Sequence, residues 1–157
     1  MSVLGILLWG QMWIKIGDYA PGATLSIEYT CDGGNVPPPI HWGGAPRETQ
    51  AYVLRMYDPD APADTFIHWI VYNLMETQTG HSSQNLLQGY NDFGKVGYGG
   101  PCPPPKDGAH RYVVEVYALQ KPLSIKGAVT WERIRSAMVG KVLDQAQTFV
   151  VYKRQKP

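Results

Sequence analysis

A mostly β domain is predicted for this 157-residue chain: a two-sheet antiparallel β-sandwich with a short helical region at about 130–147. Three observations lead there. Glycine and proline supply 17 and 13 positions while charged residues make up only 17%, which fits a turn-rich β domain and argues against a coiled coil or helical bundle. Strand-length apolar runs recur between Gly/Pro clusters. Only one late stretch carries helical spacing. The chain length and 44% hydrophobic content fit a single domain spanning residues 1–157, long enough to bury a sizeable core. Residues 1–12 are a candidate N-terminal extension, since Met12 could serve as an alternative start.

Val3 to Trp9 is apolar but lacks a basic flank and is far too short to span a bilayer. It is expected to pack on the domain as a strand or flap. Leu25, Ile27 and Tyr29 alternate with polar neighbours and predict a half-buried strand. Pro37, Pro38 and Pro39 lack ladder donors and must form a stiff loop, as must Pro103, Pro104 and Pro105. Ala51 to Tyr57, Ile67 to Leu74 and Tyr112 to Leu119 are nearly continuous apolar runs, the pattern of central strands covered on both faces. Thr130 is a candidate N-cap with Glu132 in the first turn. From there Ile134, Ala137, Met138, Val142, Leu143 and Ala146 share a helical face, with Gly140 as an interruption. Phe149 to Tyr152 is the last predicted strand.

Net charge is +1, and the only basic cluster is Lys153, Arg154 and Lys156 at the end. That is a poor footprint for nucleic acid. Cys31 and Cys102 form no CxxC pair. Two reduced thiols in a cytoplasmic protein is the default expectation.

Two stretches carry candidate chemistry. Asp58-Pro59-Asp60-Ala61-Pro62 follows a predicted strand, and His68-Trp69 opens the next. Alternating prolines would hold two carboxylates at a set geometry, and an Asp–His pair can position a proton. On spacing alone, a turn in which Asp58 and Asp60 cap backbone donors is the more economical reading. The second stretch is Gly97-Tyr98-Gly99-Gly100-Pro101-Cys102-Pro103-Pro104-Pro105, leading to His110-Arg111-Tyr112. Its glycines permit an anion-binding backbone nest, and its prolines would stiffen the loop. At a strand start His110 and Tyr112 share one face, which leaves Arg111 on the other.

In combination with Tyr29-Thr30-Cys31-Asp32-Gly33, Pro37-Pro38 with Trp42, and Asn91-Asp92-Phe93-Gly94, these motifs run in a specific order to the C-terminus. The chain resembles the phosphatidylethanolamine-binding protein (Raf kinase inhibitor protein-like) family, in its bacterial and archaeal branch. The resemblance implies a β-sandwich with a cavity at one end for an anion such as phosphate or a phospholipid headgroup. Carried over by position, Asp58, His68, Pro104 (or Pro105), His110 and Tyr112 would line it. Asp60, Pro62, Gly100 and Arg111 would brace its loops, Phe66 would stand near an aromatic gate, and the Ala61–Pro62 bond is a candidate for a cis peptide.

The implied function is non-enzymatic binding with no cofactor or metal, regulation of a kinase or serine protease, a cytoplasmic location and a homodimer. Two other readings compete with it. A hydrolase could use the Asp58/His68/His110 cluster, although no GxSxG or HExxH motif occurs. A protein–protein module could use Trp9, Met12 and Trp13 as an oligomer face. Eukaryotic members end in a helix by the pocket mouth, whereas this chain ends in a strand-like segment and a polar tail.

Overall fold

The apolar runs read from the sequence become the middle of one sheet. The computed structural model describes residues 11–79 and 85–155. The Val3 to Trp9 run, with Trp9 as a candidate oligomer contact, and Lys156 lie outside the described residues. In chain order the strands are β1 (Trp13–Ile16), β2 (Ile40–Gly43), β3 (Ala51–Asp58), β4 (Phe66–Leu74), β5 (Gln78–Thr79), β6 (Leu87–Gln88), β7 (His110–Leu119) and β8 (Val142–Tyr152), with helix α1 (Trp131–Met138) before the last. They form two antiparallel sheets, ordered β6-β4-β3-β7-β8 and β1-β2-β5.

β3 and β7 read as apolar runs because both of their faces are covered. One face of the large sheet packs Leu54, Met56, Trp69 and Val114 against Ile14, Ile16, Ile40 and Trp42 of the small sheet. The opposite face packs Val53, Ile67, Ile70 and Leu119 under Ile134 and Met138 of α1. Leu54 is wholly shielded, so truncating it to Ala would cost about 2–5 kcal/mol.

Five expectations are corrected. The helical region ends at Met138, not near 147, and Val142, Leu143 and Ala146 belong to β8. Thr130 does cap α1, its hydroxyl accepting from Arg133 N at 3.3 Å. Gly140, at φ +76°, then turns the chain out of the helix. β8 pairs with β7 along nearly its whole length, and that ladder overrides the local apolar spacing.

Leu25 to Tyr29 is not a strand. Thr24 makes a single bridge to Val151, and Ile27–Tyr29 forms a 3-10 turn. The hydroxyl of Ser26 accepts from Glu28 N at 3.3 Å, and that of Thr30 donates to Ile27 O at 2.8 Å. These local bonds compete with ladder bonds and win.

Cys31 and Cys102 are not reduced thiols but a disulfide, their Cα atoms 5.4 Å apart. The Ala61–Pro62 bond is trans, like all described peptide bonds. Met12 is buried in the core and offers no oligomer face, whereas Trp13 is half exposed.

Candidate functional site

The antiparallel order places the end of β3, the start of β4 and the start of β7 at one end of the large sheet. Asp58, Phe66 and His68, and His110 and Tyr112 therefore meet there. Burial along β7 alternates as the period-2 reading requires: His110 and Tyr112 point in and Arg111 points out. His68 arrives by a different route. Met56 pairs with Trp69 while Tyr57 pairs with Ile67, so His68 is the extra residue of a β-bulge. The bulge turns its ring toward the site although its neighbours already occupy both faces.

Asp58 and His110 are both buried. One Asp58 oxygen accepts from Asp60 N at 2.7 Å, and the other lies 2.7 Å from His110 Nδ1. His110 Nε2 lies 2.9 Å from an oxygen of Asp107. Ionised carboxylates only accept, so both ring nitrogens of His110 must donate. Burial opposes the imidazolium, but the bonds to Asp58 and then Asp107 outweigh it and raise the His110 pKa above the ordinary value.

His68 is the opposite case. Its Nδ1 donates to Gly99 O at 2.6 Å, leaving Nε2 for another partner. Burial lowers its pKa, only partly offset by the Gly99 carbonyl and the Asp58 charge, so the ring is neutral near pH 7.

Three rings enclose His68: Phe66 at 5.0 Å, Tyr112 at 5.3 Å and Phe93 at 5.5 Å between centroids. Among the described residues four buried side-chain atoms lack a hydrogen-bond partner, Trp42 Nε1, Thr49 Oγ1, Thr79 Oγ1 and the Tyr112 hydroxyl; the last is the one at this site, and burial together with the Asp58 charge pushes its pKa up. An orphaned buried hydroxyl is costly in a folded protein. It points to a polar group that belongs beside it.

The loop opposite is heavily tied. Gly99 N donates to His68 O at 3.0 Å, Cys31 N donates to Pro101 O at 3.1 Å, and the disulfide follows at the next residue. Gly100 N donates to Asn35 Oδ1 at 2.8 Å, and Tyr98 Oη donates to Tyr29 O at 2.6 Å. A Cβ on Gly100 would stand 2.5 Å from Tyr29 O, so no other residue fits. Pro104 is half-buried, and its carbonyl accepts from Asp107 N at 3.0 Å, while Pro105 is exposed.

On the outer face Arg111 grips Asp60 twice, Nε at 3.0 Å and Nη2 at 2.8 Å, and its backbone N adds a bond of 2.9 Å. The Arg111 guanidinium pulls the Asp60 pKa down to about 2. Pro62 is exposed in the same loop.

Sequence reasoning missed Asp107 and Phe93 as neighbours of the two histidines. Phe93 belongs to the Asn91-Asp92-Phe93-Gly94 motif, but nothing in its spacing places it on His68. Asp107 stands three residues before His110 in a turn, where no periodic rule applies.

Residues 15–153 match the protein family described as phosphatidylethanolamine-binding protein. A UPF0098 protein of Aquifex aeolicus is 43% identical over 143 residues, 85% of this chain and 83% of its own. One from Methanothermobacter thermautotrophicus is 39% identical over 152 residues, 91% and 99% of the two chains. Among solved structures, a phosphatidylethanolamine-binding protein homolog from Chlamydia trachomatis superposes with a TM-score of 0.86 at 34% identity, covering 92% of this chain and 98% of that one. E. coli YbcL, described as a member of the mammalian family, gives 0.83 at 26% identity, with 93% and 100% covered.

Proposed function

The chain belongs to the phosphatidylethanolamine-binding protein family, and from that premise we propose that it is a non-enzymatic binding protein for a small anionic group, such as phosphate or a phospholipid headgroup. Asp58, His68, His110 and Tyr112 form the site, with Pro104 shaping its rim. The observation that carries this reading is the orphaned Tyr112 hydroxyl beside a neutral His68 whose Nε2 is left over. A ligand oxygen within reach of both would satisfy the hydroxyl as donor. A protonated ligand oxygen would also satisfy the imidazole as acceptor.

Titration with inorganic phosphate and with phosphorylethanolamine, followed by NMR of the His68 and His110 rings, tests the proposal. Saturable shifts of both rings are expected. Flat titrations into the millimolar range contradict it.

A hydrolase is the second reading, favoured by the 2.7 Å Asp58–His110 pair, which has the form of a base held by its orienting carboxylate. Against it, His110 Nε2 faces a carboxylate rather than a nucleophile, and both cysteines are consumed in the disulfide. Phosphatase and esterase turnover that disappears in His110→Ala would establish the enzyme instead.

Regulation of a kinase or serine protease, and a homodimer, extend the proposal. Inhibition assays and sedimentation test each. No helix among the described residues is long and apolar enough to cross a membrane. The proposed cytoplasmic location must accommodate a disulfide that mesophilic cytosol rarely keeps, so thiol trapping in fractionated cells is its test.

A further inference from the structure

We propose that Asp107 is a tethered competitor: its carboxylate occupies the position on His110 that a ligand anion would take, and it must swing away for that anion to bind. The inference rests on the anion-site reading above and adds to it a residue that sets affinity.

The geometry comes first. His110 has two ring nitrogens, and carboxylates hold both, Asp58 at 2.7 Å and Asp107 at 2.9 Å. No donor is left on His110 for a third acceptor. The two carboxylates differ in depth, since the Asp58 side chain is 5% exposed and that of Asp107 is 30% exposed. Asp58 is the fixed inner partner at the end of β3, with Asp60 N on its second oxygen. Asp107 is the outer one, on a loop.

Past the stiff proline run, that loop is lightly held. Pro105, Lys106, Gly108 and Ala109 are exposed. A side chain at Gly108 would meet nothing within 4 Å. Among the described residues, Asp107 is anchored besides its carboxylate only by the backbone bond to Pro104 O. The segment before it is pinned by the disulfide and the segment after it by β7, so the excursion is confined to a few residues.

Charge decides between exchange and addition. The groups acting on His110 are Asp58 from β3 and Asp107 from its own loop, while the neutral His68 from β4 shares the Asp58 charge. Asp60 is compensated by Arg111, and the Tyr152 hydroxyl across the sheet is engaged with Asp32. Two carboxylates around one imidazolium leave a net charge of −1. A further anion added without removing Asp107 would meet like charge at close range. Replacement of Asp107 keeps the balance. A competitor that holds the site about 90% of the time lowers apparent affinity about tenfold.

The experiment uses wild type, Asp107→Ala and the isosteric Asp107→Asn in two NMR measurements. The His110 ring is first titrated with pH in the absence of ligand, and inorganic phosphate and phosphorylethanolamine are then titrated at fixed pH. Both variants are expected to lower the His110 pKa and to bind both ligands about tenfold more tightly than wild type, since the phosphate is the shared group. An unchanged His110 titration overturns the inference whatever the ligands do. A lowered His110 pKa with unchanged or weaker binding overturns the competitor role and leaves the pocket reading standing. Absence of binding in all three proteins overturns the pocket reading, and the competitor role falls with it.

Discussion

β7 carries two carboxylate-centred clusters, one at each side of the large sheet, and they are built to opposite rules. On the helix side, Glu115 accepts from Arg55 Nε at 3.2 Å and Nη2 at 2.8 Å, from Tyr57 Oη at 3.0 Å and from Tyr117 Oη at 2.5 Å. Arg55 is held between aromatic rings, 4.0 Å from the Tyr57 centroid and 4.1 Å from that of Trp131. Both tyrosine hydroxyls and two guanidinium nitrogens have an acceptor, and one carboxylate meets one guanidinium. At the end of the sheet, Asp58 and Asp107 share one imidazole, and the Tyr112 hydroxyl has no partner among the described residues. A groove of about 370 Å³ opens beside the Glu115 cluster, yet Arg55 and Tyr117 on its wall are already committed. Concavity does not distinguish a site here; an unsatisfied hydroxyl and unbalanced charge in the same place do.

This contrast can be broken at either end. The largest effect is expected at the disulfide, which closes a loop of 71 residues beside the site. Replacing Cys31 and Cys102 together with Ser should cost about 4 kcal/mol by the loop-entropy relation, read from denaturant midpoints. If the site's ordering depends on that bond, the double variant also loses the sharp His68 environment set by Gly99.

Next comes the Glu115 cluster. Glu115→Ala strands Arg55 and two tyrosine hydroxyls in a largely shielded setting, and should cost about 2–3 kcal/mol. Phosphate affinity and the titrations of both histidines should not change. Altered ligand binding in this variant would erase the distinction between a structural and a functional cluster.

Tyr112→Phe should behave in the reverse sense. Removing an unpartnered buried hydroxyl should leave stability unchanged or raise it by about 1 kcal/mol, while weakening anion binding severalfold. A large loss of stability would mean that the hydroxyl has a partner in solution.

The smallest effect is expected at the exposed Asp60–Arg111 clamp, screened by solvent. The Asp60 pKa is depressed from the ordinary carboxylate range to about 2, so its contribution is full above the unfolded value near 3.8 and disappears as pH falls through about 2. Asp60→Asn should therefore be less stable than wild type at pH 6, the difference closing by pH 2. The histidines act at higher pH and in opposite directions. His110, with a raised pKa, stabilises below about pH 6.5 and loses that contribution as pH rises through its folded value. His68, with a lowered pKa, costs stability as pH falls below about 6.5, because the unfolded chain takes up the proton first.

How much of this was legible beforehand depended on whether a side chain's direction followed from strand period. β3, β4 and β7 were readable as apolar runs because both sheet faces are covered. The inward pair His110 and Tyr112, with Arg111 outward, followed from period 2 alone. The β8 ladder was misread because apolar residues at 142, 143 and 146 satisfy a helical stripe as well as a strand. Only the Gly140 turn and pairing with β7 decide between them. The orientation of His68 depends on a bulge, which adds a residue without any local mark. Asp107 reaches His110 through a turn, and the Cys31–Cys102 bond joins distant loops. Such contacts are set by tertiary packing, which no window of neighbouring residues contains.

The central claim is that an anion binds between His68 and Tyr112 and displaces Asp107 from His110. A crystal structure determined from crystals soaked in phosphate tests it most directly. The account predicts density for a tetrahedral anion within hydrogen-bond distance of the Tyr112 hydroxyl and His68 Nε2, with the Asp107 carboxylate moved off His110. An unoccupied site with Asp107 still on His110 Nε2 would contradict it.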